Sequence, residues 1–112
     1  MENTRLKKVN RLLQKELGTY FQQQSKSLFG GAMITVTDVS VTTDLAVAKI
    51  FISLFLVKDP KALLNEITEL TPQIRKTVGN NVRHQLRVVP ELIFIIDDSL
   101  DRAMRIEELL KK

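Results

Sequence analysis

A row of cationic and amide side chains in the second half of the chain has the spacing of one helix face, and such side chains bind polyanions. If Pro72 opens a helix that runs to about Leu86, four residues at spacings of four, three and four share one stripe: Lys76, Asn80, Arg83 and Arg87. Arg75 adds a cation in the same segment. No Asp or Glu occurs between Glu69 and Glu91, so no acidic side chain nearby in sequence neutralises these charges. The pattern predicts a surface for a polyanion.

The N-terminal segment is the second concentration of positive charge. Residues 1–15 hold five cations against Glu2 alone: Arg5, Lys7, Lys8, Arg11 and Lys15. In a first helix capped by Asn3 or Thr4, apolar residues at three- and four-residue spacing form one face, and the opposite side carries Arg5, Lys8, Arg11 and Lys15. This basic side is either a solvated helix surface, which is the commoner meaning of a charge run, or a second phosphate contact.

Length and composition predict one globular domain over residues 1–112. A chain with 44% hydrophobic and 27% charged residues can bury a single core, and its net charge of +4 suits nucleic acid. Its apolar runs fall far short of the roughly 20 residues of a membrane helix. Met1 leads into polar residues without the apolar region of a secretory signal, and there is no cysteine for disulfides. We therefore expect a cytoplasmic protein that does not cross a membrane.

No catalytic or metal-binding constellation accompanies the basic residues, so we expect neither an enzyme nor a cofactor or small-molecule substrate. The sequence contains no P-loop, dinucleotide-binding glycine motif or nucleophile elbow. His84 is the only histidine, and a polar position at the rim of the basic helix explains it better than catalysis or zinc binding. Asp97, Asp98 and Asp101 stand at a predicted helix start, where carboxylates satisfy free N–H groups without a cation.

Three predicted strands form a sheet. Residues 33–42 are rich in β-branched side chains, and their apolar positions change phase after Val36, so we expect a bulge near Thr37 and Asp38. Residues 46–57 form the partner strand of a hairpin. Residues 89–97 form the third strand, and its apolar run is typical of a strand that is buried on both faces or lies centrally in the sheet.

Helices flank these strands in the order αββααβα, which indicates an α+β fold with a three-stranded sheet packed on helices. The first helix should end before a flexible connector at residues 22–32, which contains Gly30 and Gly31. Asp59 and Pro60 are a cap and first-turn pair for the second helix.

The chain is interrupted between its two central helices. Thr71 and Pro72 break the second helix, and the basic helix begins at once. Gly79 within the basic helix permits either close packing or a kink. A last helix, capped by Asp98 or Ser99 and running through residue 110, has apolar residues at helical spacing.

Two segments closely resemble the ribosome-binding factor A family. Residues 39–49 (VSVTTDLAVAK) and 90–100 (PELIFIIDDSL) carry the most specific match, and the resemblance covers nearly the whole chain. It implies a KH type II-like fold and a noncatalytic, bacterial-type assembly factor. Such a factor binds the small ribosomal subunit, assists late maturation of its rRNA and supports growth in the cold.

The resemblance also implies which residues contact RNA, namely Arg75, Lys76, Arg83 and Arg87, with Arg5, Lys8 and Arg11 as weaker candidates. Lysine and arginine spaced along a helix suit phosphates, since sequence reading of RNA usually needs splayed, stacked bases. Family members carry an Ala-x-Gly break between the central helices, whereas this chain has Leu70, Thr71 and Pro72. A monomer is expected. A protein-binding adaptor of the same fold is the alternative function, and an unrecognised small enzyme is the weakest.

Overall fold

The computed structural model describes residues 4–55 and 57–97. Three helices and three strands follow one another in the predicted order αββααβ: α1 Thr4–Leu28, β1 Met33–Val41, β2 Val47–Phe55, α2 Pro60–Glu69, α3 Thr71–Val82 and β3 Glu91–Ile96. The predicted α+β architecture is confirmed. The predicted last helix, with Asp98 and Asp101, lies outside the described residues.

Helix α1 is longer than the sequence pattern indicated. Its apolar face continues through the buried Tyr20 and Phe21, and the helix ends at Leu28. The prediction of a connector over residues 22–32 was therefore wrong for residues 22–28. Three glutamines and one lysine in this stretch are good helix formers, and Phe21 anchors this half of the helix in the core. The turn itself uses Gly30 and Gly31, whose φ angles of 60° and 81° suit glycine.

The sheet has the strand order β1-β2-β3, with β1 antiparallel and β3 parallel to the central β2. The predicted bulge is confirmed, since the β1–β2 register shifts between Val36 and Asp38. The extra residue, Thr37, lets the two phases of β1 face the same side, and the buried residues of this strand are Ile34, Val36, Val39 and Val41.

Strand β3 is an edge strand, so the prediction that it lies centrally or is buried on both faces was wrong. Among residues 4–55 and 57–97 it pairs with β2 alone, starting where the Glu91 N–H donates to the Ala46 carbonyl at 2.9 Å. Leu92 and Phe94 face the core, whereas Ile93 points to the opposite side and is 42% exposed. An apolar run alone does not distinguish a central strand from an edge strand. In the described part of the chain, helices cover only one face of this sheet.

The core lies between one face of the sheet and the described helices. Each side chain buried there contributes roughly 1.5–3 kcal/mol relative to an exposed position. The most deeply buried members come from α1, β2, α2 and α3, and include Leu13, Leu17, Phe21, Ile50, Ile52, Ile67, Ile74, Val78 and Val82. Because Ile74, Val78 and Val82 of α3 face the core, the opposite side of that helix faces solvent.

The break between α2 and α3 occurs where the sequence predicted it. Asp59 caps α2 by accepting from the Ala62 N–H at 3.1 Å. Leu70 ends α2 and also precedes α3, with φ −86° and ψ −1°. Pro72 has no N–H to continue the backbone hydrogen bonds of α2. The Thr71 hydroxyl donates to the Ile67 carbonyl at 3.1 Å. The two helices thus meet at a single residue.

Among the described residues, no helix combines the length and the apolar character that crossing a membrane requires.

Candidate nucleic-acid interface

The basic residues of the second half lie on α3 and on the loop that follows it. Lys76 and Asn80 are helical, and Arg83 is the C-terminal cap residue of α3. The helix ends at Val82, so the prediction that it reaches residue 86 was wrong. The N–H of Leu86 still donates to the Val82 carbonyl at 2.8 Å, which closes one further turn and buries the Leu86 side chain. Arg87 therefore belongs to loop 83–90 and not to the helix.

Helix α3 and loop 83–90 border a shallow, open groove of about 550 Å³. All five residues predicted from the basic segment line it, namely Arg75, Lys76, Asn80, Arg83 and Arg87. Its other lining residues, which the sequence reasoning did not place here, are Pro72, Gly79, Val88 and Val89. The loop therefore brings Arg87 back beside the helical stripe even though the helix has ended. The structure gathers the predicted polar residues around one concave surface.

Arg75 differs from the other cations because its guanidinium holds the loop. Nε donates to the carbonyls of Val89 and Pro90 at 3.1 and 3.2 Å, and Nη2 donates to Val89 at 2.5 Å. These bonds fix the residues just before β3 against α3. Sequence spacing could not show this role, since the acceptors are backbone atoms of a loop. Arg75 thus shapes the groove in addition to contributing positive charge.

Lys76, Arg83 and Arg87 are exposed, and their side chains make no hydrogen bond or ion pair with residues 4–55 or 57–97. Solvated cations with no internal acidic partner keep their charge available to a ligand, and phosphate oxygens are its natural acceptors. Asn80 is also exposed in the same groove. The groove therefore offers three cationic donors and one amide to an anionic polymer.

Gly79 provides close packing between the helix and the loop. A Cβ placed on it would come within 3.3 Å of Val89 Cγ2. Helix α3 continues through this position, so of the two roles that the sequence left open, the structure supports close approach. The missing side chain lets Val89 lie against the helix backbone at the floor of the groove.

The candidate cations of the first helix lie outside this groove. Arg5, Lys8 and Arg11 are exposed on α1, while Val9 and Leu13 of the same helix are buried. Because α1 packs against α3, the two basic surfaces belong to neighbouring helices over the same face of the sheet. The basic side of α1 and the groove beside α3 are therefore two separate surfaces.

Two other features bear on the choice of site. A larger open cleft of about 720 Å³ lies between the end of α1, β2 and α2, but its charged lining residues are Asp59 and Glu66, which disfavour a polyanion.

His84 is exposed beside Arg83 and does not line the basic groove. Within the part of the chain that the structure describes, no three His, Cys, Asp or Glu residues are grouped as a metal site would require.

Several known proteins similar to this chain are described as ribosome-binding factor A. The sequence profile of the ribosome-binding factor A family matches residues 5–110. Ribosome-binding factor A of Cytophaga hutchinsonii is 41% identical over 112 residues, covering 100% of this chain and 84% of that protein. The crystal structure of ribosome-binding factor A from Thermus thermophilus superposes with a TM-score of 0.68 at 16% identity, covering 81% of this chain and 94% of that one.

A further similar structure is a homology model of the Thermus thermophilus factor, fitted into a cryo-EM map of a 30S complex of that factor. It has a TM-score of 0.64 and 21% identity, and the match covers 80% of this chain and 91% of that one. Both structural matches indicate the same fold.

Proposed function

The chain belongs to the ribosome-binding factor A family, and from this premise we propose that it is a noncatalytic assembly factor for the small ribosomal subunit. The proposed contact is the groove between α3 and loop 83–90, which binds the rRNA backbone during late maturation. The binding of a Thermus thermophilus relative in a 30S complex supports the choice of partner.

One observation carries the choice of surface: Lys76, Arg83 and Arg87 line a single groove and have no partner among the described residues. Each can replace the counterions of one phosphate, which releases those ions to solution and favours binding. The factor then assists maturation by binding two arrangements of the rRNA with different affinities, because a ligand shifts an equilibrium only by such a difference. Arg5, Lys8 and Arg11 on α1 supply additional contacts in this proposal.

The remaining properties, which rest on length and composition as well as on the family resemblance, are part of the same proposal. The chain acts as one domain and as a monomer in the bacterial cytoplasm, without a cofactor or small-molecule substrate. Its activity supports growth in the cold, where misfolded arrangements of the rRNA exchange slowly.

Co-sedimentation with small, large and assembled ribosomal particles tests this function. We expect selective pelleting with the small subunit and its loss in the triple variant Lys76→Glu, Arg83→Glu and Arg87→Glu. The matched control reverses three exposed lysines outside the groove, Lys26, Lys58 and Lys61, and thus makes the same change in net charge. Retained binding by the groove variant would show that the proposed surface is wrong. Binding that does not respond to salt would favour a protein-binding adaptor.

A further inference from the structure

We infer that the cleft between the end of α1, the adjoining ends of β1 and β2, and α2 binds a protein partner, through an extended peptide segment with both basic and apolar side chains. The source of this partner rests on the proposed function: it is a protein of the small subunit, since proteins that bind RNA carry basic segments. Apolar side chains of the peptide contact Leu28 and Met33, and its cations lie beside Asp59 and Glu66.

Exposed apolar side chains mark this cleft as a contact surface. Large hydrophobic residues are exposed at four positions of the described chain, and two of them, Leu28 and Met33, line the cleft. Leu28 is 39% exposed and Met33 is 66% exposed. Phe29 and Leu63, which also belong to the lining, are buried. Apolar groups of a partner that cover Leu28 and Met33 would remove both surfaces from water, which favours binding.

The charge of the cleft selects a basic partner. Asp59 and Glu66 are exposed and line it, whereas no Lys or Arg among the described residues does. The Glu66 side chain makes no hydrogen bond or ion pair with residues 4–55 or 57–97. Because the whole chain carries a net charge of +4, the cleft has the opposite sign to the molecule around it. Such a local negative surface attracts a cationic peptide and repels the phosphates of RNA.

The two carboxylates have a spacing that an extended peptide matches. Asp59 caps α2, and Glu66 follows about two turns later on the same side of the helix, which separates them by about 10 Å along its axis. Two cations about three residues apart in an extended chain span the same distance, and in the polyproline II conformation they share one side. Leu63 lies between the two acids in the lining. An apolar side chain of the peptide therefore fits between its two cations.

The turn after α1 gives the cleft a fixed wall. The Ser25 carbonyl accepts from the Gly31 N–H at 2.8 Å, and the Ser25 hydroxyl donates to the Ala32 carbonyl at 2.8 Å. These bonds hold the turn that joins Leu28 to Met33, so the two exposed apolar residues are positioned before a partner arrives. A preformed surface loses less conformational freedom on binding than a flexible one.

Two occupants from this chain match the cleft less well. Residues 98–112 have no net charge, because four acidic residues balance four basic ones: Asp98, Asp101, Glu107 and Glu108 against Arg102, Arg105, Lys111 and Lys112. A second copy would have to insert its basic groove, and this would occupy the cations that the proposed function assigns to RNA.

The test titrates the full chain with a short synthetic peptide, in which two arginines at the matching spacing flank leucine, and follows fluorescence anisotropy. We expect binding of this peptide, and none when glutamate replaces its arginines or serine replaces its leucine. Glu66→Lys should weaken binding by about fivefold, the upper end for an exposed ion pair. The matched control is Glu69→Lys, which makes the same charge change at an exposed position of α2 outside the cleft and should leave binding unchanged.

A second pair of variants tests the apolar contact. Met33→Ser should weaken binding of the peptide by about tenfold, because most of a methionine side chain is then no longer buried by the partner. Ile93→Ser removes another exposed apolar side chain of the sheet, 42% exposed and outside the cleft, and should have no effect. Met33, Glu66 and Ile93 are exposed, so these substitutions should not unfold the protein, and circular dichroism checks this.

Failure of the cleft and failure of the proposed function give different results. Absence of peptide binding, equal binding of the acidic peptide, or equal effects of Glu66→Lys and Glu69→Lys would overturn the cleft as a peptide site. Dimerisation of the chain that Glu66→Lys abolishes would also overturn it, in favour of a second copy. The proposed function still stands in each case if the triple charge reversal at Lys76, Arg83 and Arg87 abolishes subunit binding, and fails if that reversal leaves subunit binding intact.

Co-sedimentation tests the source of the partner. We expect Glu66→Lys to bind the small subunit more weakly than Glu69→Lys does, while the two variants bind protein-free rRNA of that subunit equally. Equal binding of the two variants to the intact subunit would show that the partner is not one of its proteins.

Discussion

At the scale of single residues, cations of equal charge in the groove have different physical roles. The Arg75 side chain donates to two backbone carbonyls, whereas the side chain of its neighbour Lys76 makes no hydrogen bond to a described residue. We expect Arg75→Ala to lower the free energy of unfolding by about 1 to 2 kcal/mol, because partly buried carbonyls lose charged donors. Urea denaturation measures this change.

Lys76→Ala is the matched control for Arg75, since it removes one charge from the adjacent position of the same helix. It should change stability by less than about 0.5 kcal/mol, as substitutions at exposed sites without partners usually do. Both variants should weaken subunit binding through the lost charge. Equal stability of the two variants would contradict the clamp that we assign to Arg75.

The hairpin turn contains a carboxylate, Asp44, whose pKa is lowered by local hydrogen bonds. The Thr42 hydroxyl donates to Asp44 Oδ1 at 2.7 Å, the Ala46 N–H donates to it at 3.1 Å, and these bonds lower the pKa of Asp44. Because its folded pKa lies below the unfolded value of about 3.9, its stabilisation is present above that value and is lost as pH falls through the folded pKa. We expect the stability of the Asp44→Asn variant to fall less than that of the natural chain as the pH is lowered through this range.

Thermal unfolding at neutral pH and near pH 3 measures the contribution of Asp44. The substituted chain should differ from the natural one more at neutral pH than in acid. An identical difference at the two pH values would mean that the Asp44 charge does not contribute to the turn.

Residue spacing predicted which side chains gather at the groove, but not all of what they contact. Lys76, Asn80 and Arg83 could be placed because they are three or four positions apart on one helix. The bonds of Arg75 could not be predicted, since they depend on where loop 83–90 returns to the helix. Val88 also gave no signal, because one exposed valine in a loop is common in any sequence.

At the scale of helices and strands, Gly79 of α3 is a weak helix former that packs closely against Val89 of loop 83–90. Replacing glycine by alanine in a helix interior normally stabilises a protein by about 0.8–1 kcal/mol. We expect that gain at Gly18 in α1, where a Cβ would meet nothing within 4 Å. At Gly79 the Cβ would press on Val89, which is buried and held by Arg75, so we expect no gain or a loss.

The two glycine variants serve as controls for each other, because both introduce the same methyl group into a helix. Urea or thermal denaturation gives the free energy of unfolding of each. A gain at Gly79 equal to the gain at Gly18 would show that loop 83–90 yields easily and does not form a fixed wall of the groove.

The elements themselves were predicted where local chemistry decides them. The phase change in β1, the Asp59 cap and the break at Thr71 and Pro72 each depend on neighbouring residues, and each occurs as predicted. The end of α1 and the position of β3 depend on distant packing. Phe21 contacts the rings of Phe29 and Phe94. Such contacts keep residues 22–28 in the helix, although their sequence pattern indicates a connector.

At the scale of the whole molecule, folding converts two basic segments of the sequence into two basic surfaces on adjacent helices. The residue patterns predicted the αββααβ order, which is confirmed for the described residues. The resemblance of two segments predicted the family, which is also confirmed. The groove was beyond either argument, because it exists only when α3 and loop 83–90 are packed side by side. The net charge of +4 counts cations but does not show which of them share a ligand.

The salt dependence of subunit binding measures how many of these cations contact phosphate. Each neutralised phosphate contributes about −0.7 to −0.9 to the slope of log K against log salt concentration. Replacing Lys76, Arg83 and Arg87 by glutamine should therefore make the slope shallower by about 2 to 3. The same substitution at Lys26, Lys58 and Lys61 should leave the slope nearly unchanged, although both variants lose three charges. Equal reductions would mean that the protein responds to total charge, and that the groove is not the surface that binds RNA.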